Sequence, residues 1–270
     1  MPEIIRFLSA YPVDDIPELA IYYYSFLTLY EEDNVANYYK LRDLLDKYGK
    51  DMPRQEAIEI IDSALHYCTG KFNRGHREFY QEYFDVFAFA LDYDIFSLNN
   101  EFAPWRYNNI VGVALRLDKL AWAEQFVEEY KHLLPPDTRQ NTYSFNLARV
   151  YRFQKNYPKA LALLHGVEYE DIGYNLISKM MLTITYFELD EFDALDAFIE
   201  SFRIFLKRNE KKISAQRRTS YLNLLHYVRA LTRLIPGDKA AREKLRQSIE
   251  NDKSMIVNHE WLLEKLDESG

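Results

Sequence analysis

Apolar residues recur along this chain at helical spacing almost without interruption. Ile58, Ile61, Ala64, Leu65 and Cys68 advance by three, three, one and three, steps that keep side chains on one face of an α-helix. Phe79, Tyr83, Val86, Phe87 and Ala90 follow the same rule. No run of alternating residues bounded by turn dipeptides points to a strand,. The pattern predicts helices near 17–30, 34–48, 53–69, 74–92, 104–117, 120–134, 138–154 and 157–166. Five more are expected near 171–189, 192–208, 214–235, 238–250 and 256–267.

Helix punctuation agrees with this division. Asp15 precedes Pro17 and Glu18, residues suited to a first turn,. Pro135-Pro136 ends a segment, because proline has no N–H to donate and restricts the residue before it,. Asp137 with Gln140 three residues on is a capping-box pattern, and Asn156 is expected to cap the helix that carries Pro158,. Pro236-Gly237-Asp238 marks another break and restart. The short connections make neighbouring helices antiparallel.

Three consecutive segments share an internal grammar. Tyr107, Ile110, Ala114, Leu120, Ala123 and Val127 are followed by Leu147, Ala148, Tyr151, Tyr157, Ala160 and Leu164, then by Leu182, Tyr186, Phe192, Leu195, Ile199 and Phe202. Aligning Ala123, Ala160 and Leu195 gives periods of 37 and 35 residues. The junctions read Asp118-Lys119-Leu120, Lys155-Asn156-Tyr157 and Asp190-Glu191-Phe192. A large residue opens each second helix, and a small one a turn later lets two helices approach; Leu195 departs from that rule. The matching small position of the first helices holds Val111, Ala148 and Thr183. Gly70-Lys71-Phe72 mimics the junction in an earlier, wider-spaced segment.

This grammar resembles the tetratricopeptide repeat, a helix pair of about 34 residues. The resemblance implies an all-α fold: one α-solenoid of antiparallel helix pairs over 1–270, wound as a right-handed superhelix. Its clearest repeats span 104–208, with looser pairs in 17–92 and atypical helices in 213–267. The chain also resembles a family of bacterial helical-repeat proteins with no assigned activity. That likeness rests on Asn108-Asn109, Phe202-Arg203 through Arg208-Asn209, Tyr221-Leu222-Asn223 and Trp261-Leu262-Leu263-Glu264-Lys265. Members usually extend further at the N-terminus, so the resemblance implies the C-terminal part of a longer protein. An incomplete solenoid would expose an uncapped apolar face at its first helix.

Composition narrows the function classes. Eight Gly and nine Pro in 270 residues are too few for a turn-rich β protein or a disordered chain,. The single cysteine, Cys68, excludes an internal disulfide framework and suggests a reducing, cytoplasmic setting,. No signal peptide is expected, and the longest apolar stretch, 20–30, falls well short of the roughly 20 residues that cross a bilayer,. The net charge of −8 conceals an asymmetry: −14 over 1–200, +10 over 201–246 and −4 over 247–270. Such blocks either face different partners or attract one another.

Catalytic and metal motifs are missing from the pattern. His66 and Cys68 are two apart and point to different faces of a helix, and no CxxC, HExxH or GxSxG spacing occurs,. Gly70 to Gly75 reads as an inter-helix turn rather than a phosphate loop,. Acidic pairs such as Glu128-Glu129 and Asp190-Glu191 read as solvated helix surface, and the aromatics at 22–24 and 79–89 read as core. Neither catalysis nor a cofactor is expected.

Two surfaces remain as candidates. In a tetratricopeptide-like stack the first helix of each pair lines a concave groove. Thr142, Asn146, Arg149 and Phe153 recur at steps of four, three and four, beside Asn108 and Arg116 on the preceding first helix. Amides, guanidinium groups and an aromatic ring suit a peptide backbone or a terminal carboxylate. Carboxylate-clamp members of the repeat family use Asn with Lys or Arg in this way. Asn146 falls where that pattern wants a polar residue, with Asn108 as a second candidate, while Gly112 and Met181 depart from it. The other surface is basic: Arg203, Lys207, Arg208, Lys211, Lys212, Arg217 and Arg218. It offers charge to an acidic protein or to nucleic acid, or it is solvated charge complementing a helix C-terminus. The first reading is thus a non-catalytic scaffold holding an unidentified protein or peptide, and the second a nucleic-acid-associated repeat protein.

Overall fold

A computed structural model of the chain describes residues 3–8, 10–97, 101–166, 171–235, 237–252 and 255–269. Among these residues the protein is helical and contains no strand. The chain divides into two compact units, Met1–Asn146 and Leu147–Gly270.

The first unit holds α1 (Glu3–Leu8), α2 (Pro17–Tyr30), α3 (Val35–Tyr48), α4 (Arg54–Asn73), α5 (Phe79–Asp92), α6 (Pro104–Arg116), α7 (Leu120–Tyr130) and the start of α8 (Arg139–Phe153). Here α2 packs on α3 and α4, α4 on α5, α5 on α6, and α6 on α7. The second unit takes the end of α8, then α9 (Tyr157–Leu164), α10 (Ile172–Glu188), α11 (Phe192–Arg208), α12 (Ala215–Leu231), α13 (Lys239–Glu250) and α14 (His259–Glu268). In it α10 packs on α9, α11 and α12, α11 on α12, and α14 on both α12 and α13.

Apolar periodicity placed most of these helices, and the differences have local causes. The six residues of α1 are too few to show a period. Gly70 does not begin a turn: α4 runs through it to Asn73, and the chain reverses at Gly75, whose φ of +97° is open to glycine without strain,. Ile16, not Asp15, precedes α2, and Asn156 stands at the cap of α9 without a side-chain capping bond. True side-chain caps are Asp171 on α10, Ser214 on α12 and Asp238 on α13. Asp238 restarts the chain as expected, whereas Pro236 of that break lies outside the described residues.

The three junctions singled out by the repeat share one backbone conformation. Asp118, Lys155 and Asp190 are left-handed, with φ of 57°, 58° and 56°. The next residue in each case bonds back across the turn, Lys119 N–H to the Ala114 carbonyl, Asn156 to Tyr151 and Glu191 to Tyr186, at 2.9, 2.7 and 3.0 Å. This is the longer bond of a Schellman closure, which satisfies carbonyls at a helix C-terminus. Ala123, Ala160 and Leu195 then donate the first bond of the following helix to Lys119, Asn156 and Glu191. All three are buried, as are Val111, Ala148 and Thr183.

Aromatic rings fill the core of the first unit. Phe87 is fully buried and lies 5.0 Å from Phe96, 5.8 Å from Phe126 and 6.2 Å from Phe102, centroid to centroid. Phe79, Tyr83 and Phe84 are buried with it, whereas Tyr22, Tyr23 and Tyr24 are half-exposed. On the N-terminal helices Phe7, Phe26, Leu29 and Tyr30 stand exposed.

Cys68 belongs to this core. Its thiol donates to the Tyr38 hydroxyl at 3.2 Å, and that hydroxyl donates to Glu82 at 3.2 Å. Burial pushes the thiol up to about 12, against the partial relief of the Tyr38 contact. The native protein should therefore leave a thiol reagent unreacted at pH 8 and consume one equivalent when unfolded; rapid native labelling would contradict the burial. The raised value also sets a sign. The stability it carries is complete below the unfolded thiol's pKa of about 8.5 and is lost as pH rises toward 12.

Candidate functional site

The expected groove stripe divides between inside and outside. Asn146 donates through Nδ2 to the Asn108 side-chain carbonyl at 2.5 Å and to the Thr142 backbone carbonyl at 2.8 Å. Asn108, Thr142 and Asn146 are all buried, so the structure brings these three together as an internal tie and not as an open lining. Among the described residues the Thr142 hydroxyl finds no hydrogen-bond partner. Thr142 and Asn146, the first half of the expected α8 stripe, are buried, and Asn146 is held against Asn108 of α6. A buried amide pair contributes net hydrogen bonding and fixes register. Asn146→Ala should accordingly lower stability by about 1–3 kcal/mol in urea titration, so a binding defect in that variant needs a folding control.

The rest of the stripe stays near water. Arg116 is exposed, donates to the Gly112 carbonyl at 3.1 Å and sits 5.5 Å from the Tyr80 ring. In the second unit Arg149 is half-buried and Phe153 is exposed.

The basic segment is dispersed over two helix ends and a turn. Arg203, Lys207 and Arg208 lie toward the end of α11, Lys211 and Lys212 in the turn, and Arg217 and Arg218 in the first turn of α12. Only the α11 cations complement a negative helix end; Arg217 and Arg218 sit at the positive one. Arg218 pairs with Glu210 at 3.1 Å, and Arg203 approaches Glu200 at 3.8 Å. Arg217 lies against Gly173, where an added Cβ would meet its guanidinium at 3.5 Å. Lys207, Arg208, Lys211 and Lys212 are exposed and pair with no carboxylate among the described residues.

A concave site that the sequence did not disclose lies within the second unit. Asn258, left-handed at φ 56°, turns the chain into α14, which presents Trp261, Glu264 and Lys265 at helical spacing. Trp261 donates its indole N–H to Glu188 Oε1 at 2.7 Å, and Lys265 Nζ lies 2.9 Å from Glu188 Oε2. The indole also meets Phe187 edge-on at 5.3 Å. Glu188 closes α10, so the cationic Lys265 also complements that helix end,. Burial alone would lower the Lys265 ammonium, but the Glu268 and Glu188 carboxylates overcome it and hold its pKa above the ordinary lysine value.

Beside this docked helix opens a cavity of about 490 Å³ lined by Arg152, Asn258, His259, Glu260, Trp261 and Glu264. A smaller space of about 140 Å³ shares Arg152, Trp261 and Glu264 and adds Phe153, Tyr157 and Glu188. Burial lowers the Arg152 pKa, while Tyr157 and Glu188 act to raise it. Tyr157 is pushed up to about 12 by burial and by the Glu188 carboxylate. Arg152 makes no ion pair within 4 Å among the described residues. Of the expected site residues only Phe153 borders this region. Trp261 and Lys265 at i and i+4 were visible in sequence, but their anchor Glu188 lies 73 residues before Trp261.

Among the described residues no three of His, Cys, Asp and Glu converge as a metal site requires, and no helix is long and apolar enough to cross a membrane. Set against known proteins, the chain is matched by no protein-family model, no curated protein and no solved structure.

Proposed function

We propose that this chain is a non-catalytic scaffold, a tetratricopeptide-like solenoid of antiparallel helix pairs that holds a segment of another polypeptide in the cytoplasm. The observation that carries the reading is the junction conformation recurring at Asp118, Lys155 and Asp190. A turn repeated at intervals of 37 and 35 residues, each followed by a buried position five residues on, is what a stacked helix-pair repeat requires,. Arg149 and Phe153, the accessible end of the α8 stripe, are the contact residues on this reading.

The test is affinity purification of the full chain from its native host with mass spectrometry, repeated with Arg149→Ala combined with Phe153→Ala. One partner recovered by the native protein and lost by the variant, at unchanged circular dichroism, is the expected result. Equal recovery by both removes these residues from the interface. A second reading is favoured by four exposed cations that pair with no carboxylate among the described residues, Lys207, Arg208, Lys211 and Lys212. It makes the chain a nucleic-acid-associated protein and predicts a mobility shift that weakens steeply with salt. No shift at low salt eliminates it.

A further inference from the structure

The cavity beside α14 holds charges of opposite sign that do not neutralise each other. Arg152 and Glu264 both line it, yet neither forms an ion pair within 4 Å among the described residues. A guanidinium stays protonated even where burial disfavours it, so Arg152 keeps its charge, which Glu188 favours only from beyond ion-pair distance,. The first turn of α14 borders the same space through His259, Glu260 and Trp261. The first intrahelical bond there is from Leu262 N–H to the Asn258 carbonyl, and the Asn258 side chain makes no capping bond. Uncapped N–H groups at a helix start favour a negative ligand atom, and Arg152 supplies a second, independent attraction for it. A purely anionic ligand would meet Glu260 and Glu264 at the same rim, and a purely cationic one would meet Arg152. Only a ligand with both charges satisfies the whole wall.

We propose that this cavity binds a small zwitterion of the amino-acid or dipeptide class. Its carboxylate lies on Arg152 and the first turn of α14, its ammonium on Glu264, and its apolar side chain against Trp261. The size agrees: about 490 Å³ lies within the range of small-molecule sites, roughly 300–1,000 Å³,. Trp261 is suited to the apolar contact because its indole N–H is already engaged by Glu188, which fixes the ring. The lining of this cavity includes neither Arg149 nor Phe153, although Phe153 borders the smaller space beside it, so either proposal can fail without the other.

The experiment is isothermal titration calorimetry of the full chain with four probes: leucine, Leu-Leu, N-acetyl-Leu-Leu and Leu-Leu amide. Binding of leucine or of Leu-Leu is expected, and which of the two binds assigns the ligand length. Each blocked dipeptide should bind about tenfold or more weakly than the free one, the loss of one charge-assisted contact. Arg152→Gln should erase the preference for free carboxylate over amide, and Glu264→Gln the preference for free over acetylated amine. Absence of heat with both free probes at about 1 mM overturns the proposal, as does a blocked dipeptide that binds as tightly as the tighter of the two free probes. Those ligand-side comparisons use the native protein, so they stand even if Arg152→Gln misfolds.

Discussion

Phe87→Ala is expected to destabilise the first unit by about 3–5 kcal/mol. Phe87 has no accessible surface and sits among Tyr83, Phe96, Phe102 and Phe126, rings contributed from several segments. Removing it deletes apolar burial and also opens a void whose walls are themselves rigid rings. Such walls collapse poorly, which places the cost at the upper end for a large-to-small change. Trp122 stacks on Phe126 at 5.1 Å, so its fluorescence reports on this core. In urea, the transition followed at that fluorophore should move to lower denaturant with an unchanged slope. Phe153→Ala, at an exposed ring, should shift stability by no more than about 0.5 kcal/mol. A loss below about 1 kcal/mol for Phe87→Ala would mean that the aromatic cluster repacks freely.

The second large effect is expected at Glu188. Glu188 and Lys265 each retain 10% of their side-chain surface, and Glu188 also accepts from Trp261. Glu188→Ala leaves the mostly buried Lys265 ammonium to Glu268 alone and strands the indole donor, which should cost about 3 kcal/mol,. Glu188→Gln keeps an acceptor for the indole and should recover part of that loss, separating hydrogen bond from charge. Replacing both charges, Glu188→Leu with Lys265→Met, should be milder than Glu188→Ala alone, because no uncompensated charge remains. Thermal unfolding of the three variants measures this order; a Glu188→Ala protein as stable as the native one would show α14 to be held by apolar contacts alone. Lys265 has a raised pKa, so its contribution is fully present below the unfolded lysine value of about 10.4. It is lost only as pH rises through the higher folded value,. No pH dependence from Lys265 should therefore appear near neutrality.

The helices themselves were legible with little help from tertiary context. Pro17–Tyr30 and Phe192–Arg208 begin and end where apolar spacing put them, since periodicity, proline at the first turn and short polar junctions are local signals,. The three repeated junctions were legible for the same reason: a Schellman closure joins residues only a few positions apart,. The small helix Glu3–Leu8 and the passage of α4 through Gly70 were not, because six residues carry no period and glycine tolerates either conformation,.

By itself, then, the sequence determined an all-helical chain, the order of its helices and the turns between them. Tertiary structure alone decided which polar faces meet water. Asn146 and Phe153 occupy one stripe of α8, yet one is sealed against Asn108, 38 residues earlier, and the other is exposed. Arg152 became a cavity wall, and Trp261 a fixed ring, only because Glu188 and α14 meet across a separation of 73 residues. Helical periodicity records which residues share a face. Whether that face is covered depends on a distant segment, and the resulting desolvation turns the same amide or guanidinium into a structural tie or a cavity wall.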